Sequence, residues 1–367
     1  MGEFWVFSLY VYRVSRNPGA LPPVRLTRLK AGATLRAGRE PRLGQIDTAA
    51  RRRGNQQYQG RKLMDDIKIL ATGLGFPEGP VVCADGSIVV VELRNQRISR
   101  VAPDGKVSLF SNAGGGPNGL AVGPDGFFYH TNNGGNRYIE GHPLGMGPHP
   151  DYKFGYVQRI DPKTGEAKLL YKEVNGRTLS APNDLVFDTA GGFYFTDLGK
   201  RMPTHKVLGG LYYALPDGSK IVEVAFPILS PNGCGLSPDG KTIYVAETDT
   251  ARLWAFDIES PGKIKAAPQY SPHSGRIIGG LGGKAKFDSL KVLANGNIVV
   301  ATLVEGCLTE FNPAGEVVRS VKMPDGHVTN LAFGGADMRT AYITLSASGK
   351  LGVMQWPTPG LKLNFGC

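Results

Sequence analysis

From residue 64 to the C-terminus, short apolar stretches alternate with polar, glycine-bearing turns, and the same unit returns six times. The six copies begin at Val81 (VVCADGSIVVVE), Leu120 (LAVGPDGFFYHTN), Leu185 (LVFDTAGGFYFTD), Cys234 (CGLSPDGKTIYVAET), Leu290 (LKVLANGNIVVAT) and Leu331 (LAFGGADMRTAYITL). Turn cores such as Pro-Asp-Gly and Ala-Asn-Gly between β-branched or aromatic segments predict hairpins. Most copies are followed by a second hairpin, as in ISRVAPDGKVSLF and LTEFNPAGEVVRSVKM. Four strands recurring at intervals of roughly 40 to 65 residues, six times over, predict an all-β, six-bladed β-propeller over residues 64–367. The widest interval holds the Gly/Pro/His-rich stretch 133–155, which reads as a loop insertion over one face. The last copy leaves little chain for a fourth strand. The segment 67–72 (IKILAT) is positioned to supply it and close the ring, removing an open sheet edge.

Charge changes the picture of the first 63 residues only. The 367-residue chain carries a formal +11, but residues 1–63 hold thirteen Lys/Arg against three acids, a net +10. Residues 64–367 are nearly balanced, with 29 basic and 28 acidic groups. The first segment is rich in Arg, Gly, Ala and Pro, and reads as a disordered basic extension that cannot bury enough apolar surface to fold. With a balanced domain behind it, this extension reads as a leader or a stretch preceding an internal start at Met64. Neither a nucleic-acid nor a membrane partner is expected. There is no run of 18 or more apolar residues, so no transmembrane helix is expected. The four cysteines, Cys83, Cys234, Cys307 and Cys367, lie far apart without a C-x-x-C pair. That spacing suggests neither a zinc site nor a disulfide framework and makes a reduced, cytoplasmic setting the default expectation.

The residues that carry chemistry precede each first strand. Aligning the copies puts Glu78 (FPEGP), Asn118 (GPNGL), Asn183 (APNDL), Asn232 (SPNGC), Asp288 (KFDSL) and Thr329 (VTNL) in register. Propeller symmetry aims these side chains at one axis. Pro-Asn-Gly is also simply a good turn sequence. Glu78 and Asp288, however, would repel each other at an axis without a counter-ion. An all-oxygen set without Cys or His suits one hard divalent cation, Ca2+ ahead of Mg2+ and Mn2+, with Zn2+ also admitted.

These motifs, FPEGP, SAPNDLVFD, SPNGCGLSPDGKTIYVAET with RLWAFD, and KFDSLKV, resemble those of the SMP-30/gluconolactonase/LRE-like family across essentially all of residues 64–362. The resemblance implies a metal-dependent hydrolase opening a lactone. It places Glu78, Asn183, Asn232 and Asp288 on metal-ligand positions and Asp288 on the position of the catalytic base. Asp184, beside Asn183, is a second candidate for ligand or base, and Asn132, Asn133 and Asp184 are expected to contact substrate. Animal members carry an arginine where this chain has Ala181, which leaves room for a lactone other than an aldonolactone. A phosphotriesterase-type hydrolase on the same ring of ligands, or a non-enzymatic calcium- or ligand-binding propeller, are the competing expectations. His130, His142, His149 and His205 match no metal spacing and read as loop or surface residues. Nothing in the chain specifies the oligomeric state.

Overall fold

The computed structural model describes residues 67–266 and 273–367, and within them every regular element is a β-strand. The basic extension 1–63 lies outside the described residues. Six antiparallel sheets follow one another in chain order. Their inner strands are Pro77–Val82, Pro117–Val122, Pro182–Phe187, Pro231–Leu236, Lys286–Val292 and Val328–Gly334. Each inner strand lies against the next, and the sixth lies against the first, so the six blades close into a ring around an axis. Strand Lys68–Ala71 pairs antiparallel with Lys350–Gln355 and completes the sixth blade, as the IKILAT segment predicts. In blade four the outermost strand is Arg276–Gly280, paired with Arg252–Ser260.

Strand composition follows from position in the blade. The second strands of blades one to three, Ile88–Glu92, Phe128–Asn132 and Phe193–Asp197, are buried along their whole length. A neighbouring blade covers each of their faces, so they start as apolar runs and end in buried polar residues (Glu92, Thr131–Asn132 and Thr196–Asp197). Outer strands such as Val107–Ser111 and Ala167–Tyr171 are covered less and carry exposed positions. The alternation is visible in one strand. Val89 and Val91 pack into the core shared with blade two (Leu120, Val122, Phe128), whereas Ile88 and Val90 pack into the core shared with blade six (Leu351, Ala71). Fully burying each such aliphatic side chain contributes about 1.5–3 kcal/mol. Among the described residues there are six apolar clusters, one at each boundary between blades.

One expectation is overturned: Cys83 and Cys367 form a disulfide, with a sequence separation of 284 and Cα atoms 4.6 Å apart. Cysteine spacing could not show it, because only ring closure brings the two ends of the domain together. Cys234 and Cys307 stay free. The bridge removes the cysteine-based reason for expecting a reducing compartment, without naming another. It also fastens a strap. After the last strand, the chain bonds to blade five (Leu361 N to Val292 O, 2.9 Å) and then to blade three (Asn364 Nδ2 to Phe187 O, 2.9 Å). The Phe365 ring meets the Phe187 ring at 5.9 Å, and the strap ends at Cys83 of blade one. Val292 and Phe187 are the last residues of their inner strands and Cys83 directly follows a third, so the strap crosses the far ends of the inner strands.

A cross-link spanning nearly the whole domain restricts the unfolded chain strongly, and removing it costs about 2–4 kcal/mol. Cys367→Ser is therefore expected to lower the urea midpoint by that equivalent. A reductant should lower the midpoint of the natural chain and leave the variant where it is. Equal midpoints for natural chain and variant would show that the strap holds without its bridge.

Candidate functional site

Every inner strand carries a register shift near its start, between Glu78 and Val81, Pro117 and Leu120, Pro182 and Leu185, Pro231 and Cys234, Phe287 and Leu290, and Val328 and Asn330. A bulge re-aims side chains, and here it does so at the same place in all six blades. Glu78, Asn118, Asn183, Asn232, Asp288 and Thr329, the six residues aligned by the repeat, sit at or beside these bulges and are all buried. The glycines that follow two of them have a packing reason. A Cβ on Gly119 would lie 2.3 Å from Asn183 O, and one on Gly233 would lie 2.3 Å from Leu290 N, so neighbouring inner strands approach to backbone contact.

Hydroxyls from the second strands tie these segments together. Thr131 Oγ1 accepts from Gly119 N (2.8 Å) and donates to the carbonyl of Asn183 in the next blade. Thr196 Oγ1 accepts from Asp184 N (3.2 Å) and donates to the carbonyl of Asn232. Across the ring closure, Ser346 Oγ donates to Pro77 O at 2.6 Å. Asn232 Nδ2 donates to Thr248 Oγ1 at 3.1 Å. Asn183 Oδ1 and Asn232 Oδ1 are buried without a hydrogen-bond donor. Leaving each such oxygen unsatisfied costs about 1–3 kcal/mol.

Three carboxylates share this environment. Burial pushes Glu78 up to about 7 against hydrogen bonds from Thr329, Asn330 and Gly79, and the charge of Asp184 adds to the rise. Asn330 Nδ2 and Gly79 N donate to its Oε2, at 3.0 and 3.1 Å. Burial, and after it the charge of Glu78, pushes Asp288 well above the ordinary carboxylate range, while a hydrogen bond from Asn232 opposes the rise. Asp184 is raised by burial and held back by Lys291, whose Nζ stands 3.5 Å from its Oδ2. Lys291 meets Asp184 Oδ2 and Asn330 Oδ1, and Asn330 Nδ2 meets Glu78 Oε2, so groups of blades one, three, five and six come together here.

The other expected site residues are placed differently. The Asn132 amide is spent locally: its Oδ1 accepts from Gly116 N and Gly134 N, and its Nδ2 donates to Gly114 O. Asn133 Oδ1 accepts from Gly135 N, inside the same loop. Asp184 stands with the axial acids. His130 is not a loop or surface residue as expected: it is buried in Phe128–Asn132 opposite Gln158, and burial lowers it to about 4. The insertion 133–155 forms a small two-stranded sheet, Asn136–Tyr138 with Gly145–Pro148. It packs on blade one beside the acids, with the Tyr138 ring 6.2 Å from that of Phe76, two residues before Glu78. Its anchor is Lys200, a residue that no motif or repeat position marks. Buried Lys200 Nζ donates to Asn133 O, Gly135 O and Asn136 Oδ1 at 2.8–3.0 Å and lies 4.6 Å from the Tyr152 ring centroid. Lys291 and Asn330 were also missed, although a lysine within the buried run of KFDSLKV was a visible signal.

Comparison with known proteins agrees with this architecture. The model of the SMP-30/Gluconolactonase/LRE-like region matches residues 76–347. A gluconolactonase of Zymomonas mobilis is 26% identical over 219 residues, covering 53% of this chain and 56% of that protein. The lactonase drp35 of Staphylococcus epidermidis is 35% identical over 142 residues, covering 39% of this chain and 42% of that protein. The chain thus spans about half the length of the curated relatives it matches. Among solved structures, a gluconolactonase of Xanthomonas campestris superposes with a TM-score of 0.62 at 24% identity, covering 79% of this chain and 89% of that one. The calcium-binding protein regucalcin of Agrobacterium tumefaciens gives 0.61 at 17%, covering 81% and 98%. These two likenesses show the shared fold.

The raised acids fix the sign of a pH dependence. Glu78 binds its proton more tightly when folded, so its contribution to stability is full below its unfolded value and is lost as pH rises through about 7. In metal-free buffer, unfolding free energy is expected to fall by about 1–3 kcal/mol between pH 4.5 and 7.5. Glu78→Gln should flatten that fall. A variant as pH-sensitive as the natural chain would assign the dependence to other groups.

Proposed function

The chain belongs to the SMP-30/gluconolactonase/LRE-like family, and we propose that it is a lactonase that works with one divalent cation at the axial site. The observation that carries this reading is the set of buried oxygens without donors on Asn183 and Asn232, beside two carboxylates driven toward protonation. Such a group of atoms is costly alone and favourable around a cation. Glu78, Asn183, Asn232 and Asp288 would hold it, an all-oxygen donor set suited to Ca2+ first, with Mg2+, Mn2+ and Zn2+ as competitors. Charge supports the same count. Glu78, Asp184 and Asp288 against Lys291 leave a net −2, which one divalent ion balances.

When bound, such an ion polarises a lactone carbonyl and stabilises the oxyanion that develops on it. Asp288 accepts a proton from the attacking water as the water oxygen bonds to the carbonyl carbon. Beside a bound cation its carboxyl is held in the ionised form, which leaves it able to accept that proton. The proton then goes to the ring oxygen as the acyl–oxygen bond breaks, which yields the hydroxy acid. The insertion is fastened by Lys200 and by Tyr152 Oη, which donates to Ser180 O (2.9 Å). The substrate is a small-molecule lactone or a related ester.

A pH-indicator panel of lactones, run on the full chain with and without chelator, tests this reading. Ring opening is expected only with metal. Asp288→Asn and Glu78→Gln should each reduce kcat/KM by about 10²–10⁴-fold. Cation binding without turnover of any lactone would leave a binding propeller, and chelator-resistant turnover would remove the cation from the reaction.

A further inference from the structure

Lys291 projects into the channel from the inner strand of blade five, three residues after Asp288. Its ammonium donates to Leu290 O and to Asn330 Oδ1, both at 3.1 Å, and lies 3.5 Å from Asp184 Oδ2. Asp184 belongs to blade three and Asn330 to blade six, so one cation ties three blades across the axis. The Lys291 side chain is 21% exposed and that of Asp184 4%. Among the described residues, this is the only ion pair that any of the three axial carboxylates makes.

We infer that Lys291 is a positioning residue, a built-in counter-ion that reserves the site for a single divalent cation and, together with Leu331 N, sets the direction of the Asn330 amide. The inference rests on the proposed cation site. Its electrostatic part follows from the count of buried charges. With Lys291 the three carboxylates leave an excess that one divalent ion satisfies; without it they leave one negative charge more, located on Asp184. The orientational part follows from hydrogen-bond chemistry. An ammonium has donors and no acceptor, so the amide atom facing Lys291 is the Asn330 oxygen, which also accepts from Leu331 N at 2.8 Å. The Asn330 nitrogen is thereby turned to Glu78, where it donates to Oε2 at 3.0 Å. Gly79 N donates to that same oxygen, so both bonds fall on Oε2. Lys291 thus acts on Glu78 through Asn330 and on Asp184 directly.

Calorimetric titration of the chelator-stripped full chain with Ca2+ at pH 8 tests this, using Lys291→Met, Lys291→Arg and each with Asp184→Asn added. The natural chain and Lys291→Arg are expected to take up one ion. Lys291→Met should take up a second equivalent or bind with a Kd altered at least tenfold, and adding Asp184→Asn should restore a single ion near the natural Kd. A lysine that merely fills space would leave stoichiometry and Kd unchanged in Lys291→Met, which would overturn the inference; so would a change that persists once Asp184→Asn is added. If the natural chain binds no Ca2+, the proposed cation site is lost, and the pairing is read from thermal unfolding in metal-free buffer. There Lys291→Met should lower Tm and Asp184→Asn should recover it, whereas losses that simply add would sink the counter-ion role as well.

Discussion

Each blade of this protein is apolar on both faces, and neither face is covered until a neighbour packs against it. Val89 and Val91 turn toward one neighbour and Ile88 and Val90 toward another, so no blade is complete alone. The demand is met only when the sixth blade meets the first. Closure has a second effect at the axis, where six inner strands converge closely enough that Gly119 and Gly233 have no room for a Cβ. Polar residues at the starts of those strands are forced together and away from water. The site is a by-product of closing the ring.

Gathering carboxylates in a dry place is unfavourable, and the structure shows how the cost is distributed. Hydrogen bonds from Asn330 and Gly79 support Glu78, Asn232 supports Asp288, and Lys291 faces Asp184. These contacts do not cancel the burial, since all three acids remain raised. What is left over is both charge and unpaired oxygen. Hydroxyls of Thr131 and Thr196 meanwhile fix the main chain of the asparagines, so these donors are held in place by the scaffold rather than gathered by a ligand.

The two ends of the domain are used to lock the ring. Strand Lys68–Ala71 enters the last blade, and the C-terminal strap crosses the far ends of the inner strands to a disulfide on the first blade. The near ends carry the acids, and the insertion held by Lys200 packs beside blade one there through Tyr138 and Phe76. Closure and chemistry are thus assigned to opposite ends of the same six strands, so the strap can stabilise the ring without touching the acids.

Hairpin periodicity determined the blades, their number and the strand that closes the last one, because each depends on local alternation and turn residues that the chain spells out. Register among the repeats also determined which six side chains approach the axis, since a symmetric ring sends equivalent positions to equivalent places. Tertiary structure alone decided the Cys83–Cys367 bridge, whose partners are far apart in the chain. It also decided that Asn132 is consumed by the backbone of Gly114, Gly116 and Gly134 and His130 by the core, because strand pairing sets which contacts a side chain can reach. Lys291 and Asn330 belong here too. Their partners lie on other blades, and a repeat pattern reports where a residue stands within its own blade and nothing about which charge it meets across the channel.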